Sequence, residues 1–197
     1  MALCYSFGLQ EKPNYVDYLW FEKLFTAEEV EQILALWNEH QADMASVSGD
    51  VDNHYEVELR KSSVIMLPPA DQTMWIYKKL SDAVLQANKE RYDFDLVGYN
   101  DYLQLTRYAE GEFFDWHLDF GTKAVSTRKL SITIQLSDES EYEGGELQFM
   151  TNNKTVVAPK TKGTAIMFPS FVMHRVTPIT KGVRHSIVGW ASGPSYR

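Results

Sequence analysis

The chain has 197 residues, 44% of them hydrophobic and 23% charged, and a formal net charge of -8. That length suits one domain with a substantial core, and the composition is that of a globular protein, not a disordered or fibrous one. The acidic balance disfavours broad binding to nucleic-acid backbones or anionic membranes, no apolar run approaches the ~18 residues that span a bilayer, and the lone Cys4 precludes an intrachain disulfide.

Taken in chain order, residues 1–15 lack the basic-then-apolar sequence of a signal peptide, so a cytoplasmic protein is expected. Thr26 and Glu29 form a capping box, and Val30, Ile33, Leu34 and Trp37 follow at i, i+3, i+4 and i+7, which predicts an amphipathic helix. Residues 45–60 are polar, include Gly49 and Asp50, and read as a loop leading into a strand at 62–67. A loop of this length and polarity is expected to act as a lid. After Pro68-Pro69, Ile76, Leu80, Ala83, Val84 and Ala87 mark a second helix.

From about residue 98 the hydrophobic period shortens to two. Strands are predicted at 99–108, 129–136, 146–150, 155–158, 164–168, 172–176 and 183–190. Turns are predicted at Gly111, Gly144-Gly145, Asn152-Asn153, 159–163 and 178–182, and the glycine pair requires positive φ. The fold expected is α+β, mainly β: a double-stranded β-helix, or jelly roll, braced by N-terminal helices. Residues 1–197 then make a single domain, with 1–95 as helical support and substrate-side loop and 96–197 as the catalytic jelly-roll core. At 129–136, Leu130, Ile132, Ile134 and Leu136 alternate with Ser131, Thr133 and Gln135, so one face packs under helices and the other lines a polar interior. A polar barrel interior implies a pocket.

His117 and Asp119 stand two residues apart, on one side of an extended segment, and can ligate one ion. His174 follows on a later strand. Two histidines and a carboxylate leave three cis positions open, an arrangement that suits non-haem iron(II) with a bidentate co-substrate and dioxygen. A closed zinc site would need a fourth ligand, and Cys4 is distant in sequence. Arg184, ten residues after His174, interrupts an apolar strand of Val183, Ile187, Val188 and Trp190. A guanidinium directed into a barrel needs an anion, and a dicarboxylate clamped by a bidentate arginine supplies one. Ser186 shares the face of Arg184 and can add a hydroxyl.

These stretches resemble the 2-oxoglutarate/iron(II) oxygenase superfamily in its prolyl 4-hydroxylase-like branch, including the bacterial PKHD-type hydroxylases. The resemblance rests on Arg107-Tyr108, Gly111, His117-Leu118-Asp119, Tyr142-Glu143-Gly144-Gly145-Glu146-Leu147, Phe168-Pro169-Ser170 and the run from His174 to Arg184. It implies iron(II) on His117, Asp119 and His174, 2-oxoglutarate with its distal carboxylate on Arg184, dioxygen as oxidant and ascorbate as reductant. Tyr108 matches a tyrosine lining the co-substrate pocket. The helper that some relatives place on the strand after the first two ligands falls here on Ser131, Thr133 or Gln135. Arg60-Lys61-Ser62 resembles the substrate-side strand, which makes Arg60 a candidate substrate contact. The interval of ten from His174 to Arg184 resembles prolyl hydroxylases, whereas the nucleic-acid demethylase branch usually has a longer interval and a second arginine.

The reaction implied is hydroxylation of a substrate C–H bond, of proline within a peptide in preference to free proline, with release of succinate and carbon dioxide. No catalytic side chain beyond the metal ligands is required. A proline-containing peptide, protein or small molecule is the expected partner, with no nucleic acid and no membrane. A nucleobase demethylase of the same superfamily is the first alternative, disfavoured by the acidic charge. A cupin-like metal-binding protein is the second, and it would not need a buried arginine at position 184. His40 and His54 are expected to be solvated, His185 to be structural, and Trp116 and Trp190 to serve as core or pocket wall.

Overall fold

The computed structural model describes residues 16–39, 43–44 and 59–195. Cys4, His40, His54 and the predicted 45–60 loop, except Leu59 and Arg60, lie outside them.

The larger sheet has eight strands. Side by side run β1 (Leu19–Phe21), β12 (Ala165–Pro169), β8 (Arg128–Gln135), β15 (Arg184–Ser192), β6 (Leu103–Tyr108), β4 (Ser63–Leu67) and β2 (Asp43–Met44), while β5 (Gly98–Tyr99) pairs with the end of β15. The smaller sheet has five: β11 (Lys154–Val157), β10 (Leu147–Thr151), β13 (His174–Val176), β7 (Phe113–His117) and β3 (Arg60–Lys61). A separate ribbon pairs β9 (Tyr142–Gly144) with β14 (Ile179–Gly182). This is the mainly-β jelly roll with helical bracing that the sequence predicts.

Helix α1 (Ala27–Glu39) opens with the predicted capping box. The Thr26 N–H donates to Glu29 Oε2 at 2.8 Å, and the Glu29 N–H to Thr26 Oγ1 at 3.3 Å, which satisfies two backbone donors at the helix start. Helix α2 (Met74–Ala87) buries Ile76, Leu80, Ala83, Val84 and Ala87, the stripe read from the sequence. Both helices pack on one face of the larger sheet, against Leu130, Ile132 and Ile134 of β8, Ile187 of β15 and Leu105 of β6. Each large apolar side chain so buried contributes about 1.5–3 kcal/mol, so this layer fixes the sheet as a platform. Among the described residues, no helix is long and apolar enough to cross a membrane.

A second cluster joins the two sheets and the ribbon through Phe149, Phe168, Leu147, Val176, Tyr142 and Ile179. It walls the space between the sheets opposite the helices.

Three expectations need correction. The strand predicted at 99–108 is broken into β5 and β6 around Asn100-Asp101-Tyr102. Residues 178–182, read as a turn from Pro178 and Gly182, are chiefly β14. Strands β1, β2, β3, β7 and β9 carry too few residues, or too irregular an alternation, to stand out, and β1 to β4 bring the first half of the chain into both sheets. At Gly144-Gly145 the φ values are +76° and +58°, as the turn reading requires. A Cβ on Gly144 would collide with the Pro178 carbonyl, so both dihedral and space demand glycine there.

Candidate active site

Strand pairing sets His117, the last residue of β7, directly across from His174, the first of β13. Their rings lie 4.1 Å apart, centroid to centroid. Asp119 falls just beyond β7, and its position depends on neighbours. The backbone N–H groups of Asp119 and Phe120 both donate to the Ser170 carbonyl at 3.0 Å. The Ser131 hydroxyl donates to Asp119 Oδ2 at 2.6 Å and lies 3.0 Å from the Ser170 hydroxyl. Asp119 Oδ2 is then 3.4 Å from His174 Nε2, and Oδ1 is 3.7 Å from His117 Nε2. The three candidate ligand atoms lie within 4.8 Å of one another.

The second nitrogen of each ring explains which atom faces the centre. His117 Nδ1 sits 2.6 Å from the Asp115 carbonyl and His174 Nδ1 2.9 Å from the Val172 carbonyl. Both contacts require an N–H on Nδ1, which leaves the Nε2 lone pairs converging. Burial, then the neighbouring His174, lowers the His117 pKa to about 3, so this imidazole is neutral near pH 7. Burial opposes ionisation of Asp119, but both imidazoles and the Ser131 hydroxyl outweigh it and hold the pKa below its usual value. Two imidazoles with converging Nε2 atoms and a carboxylate on one side of a site are the donors that iron(II) accepts while keeping other positions open. Phe114 covers His117, ring over ring at 3.4 Å.

Arg184 begins β15 opposite Tyr108 on β6, and Ser186 lies opposite Gln135 on β8. The Arg184 side chain is 1% exposed. One Nη donates to Gln135 Oε1 at 2.9 Å, the other lies 3.4 Å from Ser186 Oγ, and the Tyr108 ring is 5.6 Å from the guanidinium carbon. Its Nε has no partner, and no carboxylate of a described residue pairs with it. The Tyr142 hydroxyl, also buried, has no hydrogen-bond partner either. Burial raises the Tyr142 pKa and the Arg184 charge only partly offsets this, so the phenol remains a donor. A buried cation with an unpaired Nε–H, next to the Tyr142 hydroxyl, fits a carboxylate group that the described residues do not provide.

One cavity contains His117, Asp119, His174, Arg184, Tyr108, Ser186, Thr133 and Arg60, all singled out from the sequence. Gln135 joins them through Arg184. The alternation along β8 is realised in full: Ser131 serves the metal end, Gln135 the arginine end, and Thr133 lines the space between. Trp190 lines the cavity, whereas Trp116 lies under the Arg175 guanidinium at 4.6 Å. His185 points to the helix side, where its ring meets Trp37 of α1 edge-on at 5.6 Å. Phe114, Ser170 and Tyr142 are not among the site residues expected from the sequence, although Ser170 and Tyr142 fall within motifs that carry the resemblance and Phe114 stands close before His117-Leu118-Asp119.

Residues 103–192 match the family described as the 2OG-Fe(II) oxygenase superfamily. Over this stretch the chain is similar to members of that superfamily. The chain is 33% identical over 136 residues to a PKHD-type hydroxylase from Synechococcus sp. (strain CC9605), covering 68% of this chain and 61% of that protein. It is 28% identical over 157 residues to another from a strain of Prochlorococcus marinus, covering 79% of this chain and 66% of that one. The chain thus spans less than two thirds of the length of these relatives. Among solved structures, a Pseudomonas putida prolyl-4-hydroxylase superposes with a TM-score of 0.72 at 17% identity, over 91% of this chain and 94% of the other. A Trichoplax adhaerens prolyl hydroxylase, solved with a peptide fragment of the hypoxia inducible factor oxygen degradation domain, superposes with a TM-score of 0.75 at 15% identity, over 89% and 83%. The chain thus has the fold of these enzymes. The family match implies iron(II), 2-oxoglutarate and dioxygen as cofactors, and the candidate ligand triad and the unpaired Arg184 are suited to the first two.

Proposed function

We propose that the protein is an iron(II)- and 2-oxoglutarate-dependent dioxygenase that hydroxylates proline, within a peptide in preference to the free amino acid. The observation that carries this is the pairing, in one cavity, of an open His117–Asp119–His174 triad with the buried, anion-free Arg184. A cupin-like metal protein has no use for such an arginine.

With iron(II), 2-oxoglutarate and dioxygen bound, this chemistry places one oxygen atom in a substrate C–H bond and leaves succinate and carbon dioxide. The chain's own part is to hold and exclude. His117, Asp119 and His174 supply the ligands. Arg184, supported by Gln135 and Ser186, anchors the distal carboxylate of 2-oxoglutarate, with Tyr108 and Thr133 beside it. Leu147, Val176 and Val188 give the cavity apolar wall that keeps water from the reacting carbon. No general acid or base is needed, and the cofactors carry the bond-breaking.

The proline reading is supported by the hydroxylase names of the sequence relatives and by the peptide held by one structural neighbour. Its test is mass spectrometry of proline-containing peptides after incubation with iron(II), 2-oxoglutarate, ascorbate and oxygen. A gain of one oxygen on proline, matched by succinate, is the expected result. Stimulation by methylated oligonucleotides and by no proline compound would refute it.

A further inference from the structure

We propose that the mouth of the cavity receives a carboxylate of the substrate, close to the carbon that is hydroxylated, with Arg60 as its partner. This rests on the dioxygenase reading and adds the chemical class of the substrate. Arg60 is only 8% exposed, yet its hydrogen-bond partners are neutral: Nε donates to Ser62 Oγ at 2.9 Å and Nη2 to Gln104 Oε1 at 3.5 Å. Its guanidinium lies 4.9 Å over the Phe114 ring, the same ring that covers His117. Among the described residues no carboxylate pairs with it.

The charges around it make this informative. In the mouth, Arg60 stands with Leu118, Val125, Arg128 and Trp190, and the carboxylate lining that space is Asp119, which belongs to the metal triad. Arg128 is already paired with Asp101 at 2.9 Å and lies 3.7 Å over Trp190. With a dication and the dianion of 2-oxoglutarate in place these two cancel, and Arg184 cancels Asp119. Arg60 is left as the uncompensated charge among the described residues that line the cavity, inside a chain whose net charge is -8. A buried unpaired guanidinium is costly, and a planar carboxylate matches its fork. The apolar side chains of Leu118 and Val125 then face the carbon skeleton of that acid.

The test uses the protein loaded anaerobically with iron(II) and 2-oxoglutarate, titrated calorimetrically with matched acids and amides. N-acetyl-L-proline against its neutral amide probes a terminal carboxylate. Amidated N-acetyl-Pro-Glu against N-acetyl-Pro-Gln probes a side-chain one. At least one acid should bind on the order of tenfold more tightly than its neutral counterpart, as a charge-assisted contact in place of a neutral one predicts. Arg60→Gln should abolish that preference and Arg60→Lys retain part of it, with 2-oxoglutarate still taken up by both variants. Equal affinity within both pairs, binding of no probe, or a preference that survives Arg60→Gln overturns the proposal. Failure of the wild-type protein to take up 2-oxoglutarate would instead refute the dioxygenase reading beneath it.

Discussion

Arg184 shows how much one side chain can imply. It is among the largest fully buried residues, its hydrogen-bond partners are neutral, and its Nε is unpaired, so the folded chain holds a buried positive charge that no described carboxylate neutralises. Arg184→Met is expected to weaken 2-oxoglutarate binding by about 2–5 kcal/mol, because the incoming carboxylate loses its partner, while metal binding persists. Titration calorimetry reads both, and an unchanged affinity would move the anchor elsewhere. Ser131 stands one step back from the candidate metal ligands, bonded to Asp119. Removing its 2.6 Å hydrogen bond in Ser131→Ala frees Asp119 to rotate, and iron affinity should fall by roughly 10–100-fold with the fold retained. His185 shares the strand but faces the helices, where burial, then the Arg107 and Arg184 charges, lowers its pKa to about 4. The unfolded chain binds that proton near pH 6.5, so the stability tied to neutral His185 is present above pH 6.5 and lost as pH falls toward 4. Denaturant melts at pH 7 and pH 4.5 should show a larger acid loss in the wild type than in His185→Gln, and parallel losses would contradict this.

At the level of elements, long periodic segments were legible and short ones were not. The capping box and the Ile76–Leu80–Ala83–Val84–Ala87 stripe mark helices because each residue's burial depends on its own helix face. Strand β8 was equally clear, since eight residues alternate between a helix-covered side and a polar interior. Strands β2 and β3, of two residues each, exist only because a partner strand lies beside them, and no local pattern records that. In β14, Pro178 and Gly182 punctuate like a turn, but Ile179 and Lys181 pair with Gly144 and Glu143 across a register shift. The helical layer carries stability more than chemistry. Leu80→Ala, at a fully buried position of α2, should therefore cost about 2–5 kcal/mol in chemical denaturation while leaving metal affinity near wild type. A comparable loss of metal affinity would mean that the helices position the site directly.

Across the whole molecule, the two sheets bring together residues separated by more than a hundred positions: Arg60 from β3, His117 from β7, Ser131 from β8, His174 from β13 and Arg184 from β15. The candidate ligands and the arginine stand out in the sequence because their chemistry is unusual for their surroundings: an imidazole and a carboxylate two apart, and a cation inside an apolar strand. Their supports were not. That Ser131 holds Asp119, that Phe114 covers His117 and that Tyr142 leaves its hydroxyl free near Arg184 are consequences of strand register and side-chain packing. The triad and the arginine are predicted to act on one co-substrate. The most direct test is the anaerobic visible spectrum of the protein titrated with iron(II) and then 2-oxoglutarate. A charge-transfer band that needs both additions, and is lost in His174→Ala and in Arg184→Met at the same concentrations, is the predicted result. No band in the wild-type protein, or a band that persists unchanged in His174→Ala, would contradict it.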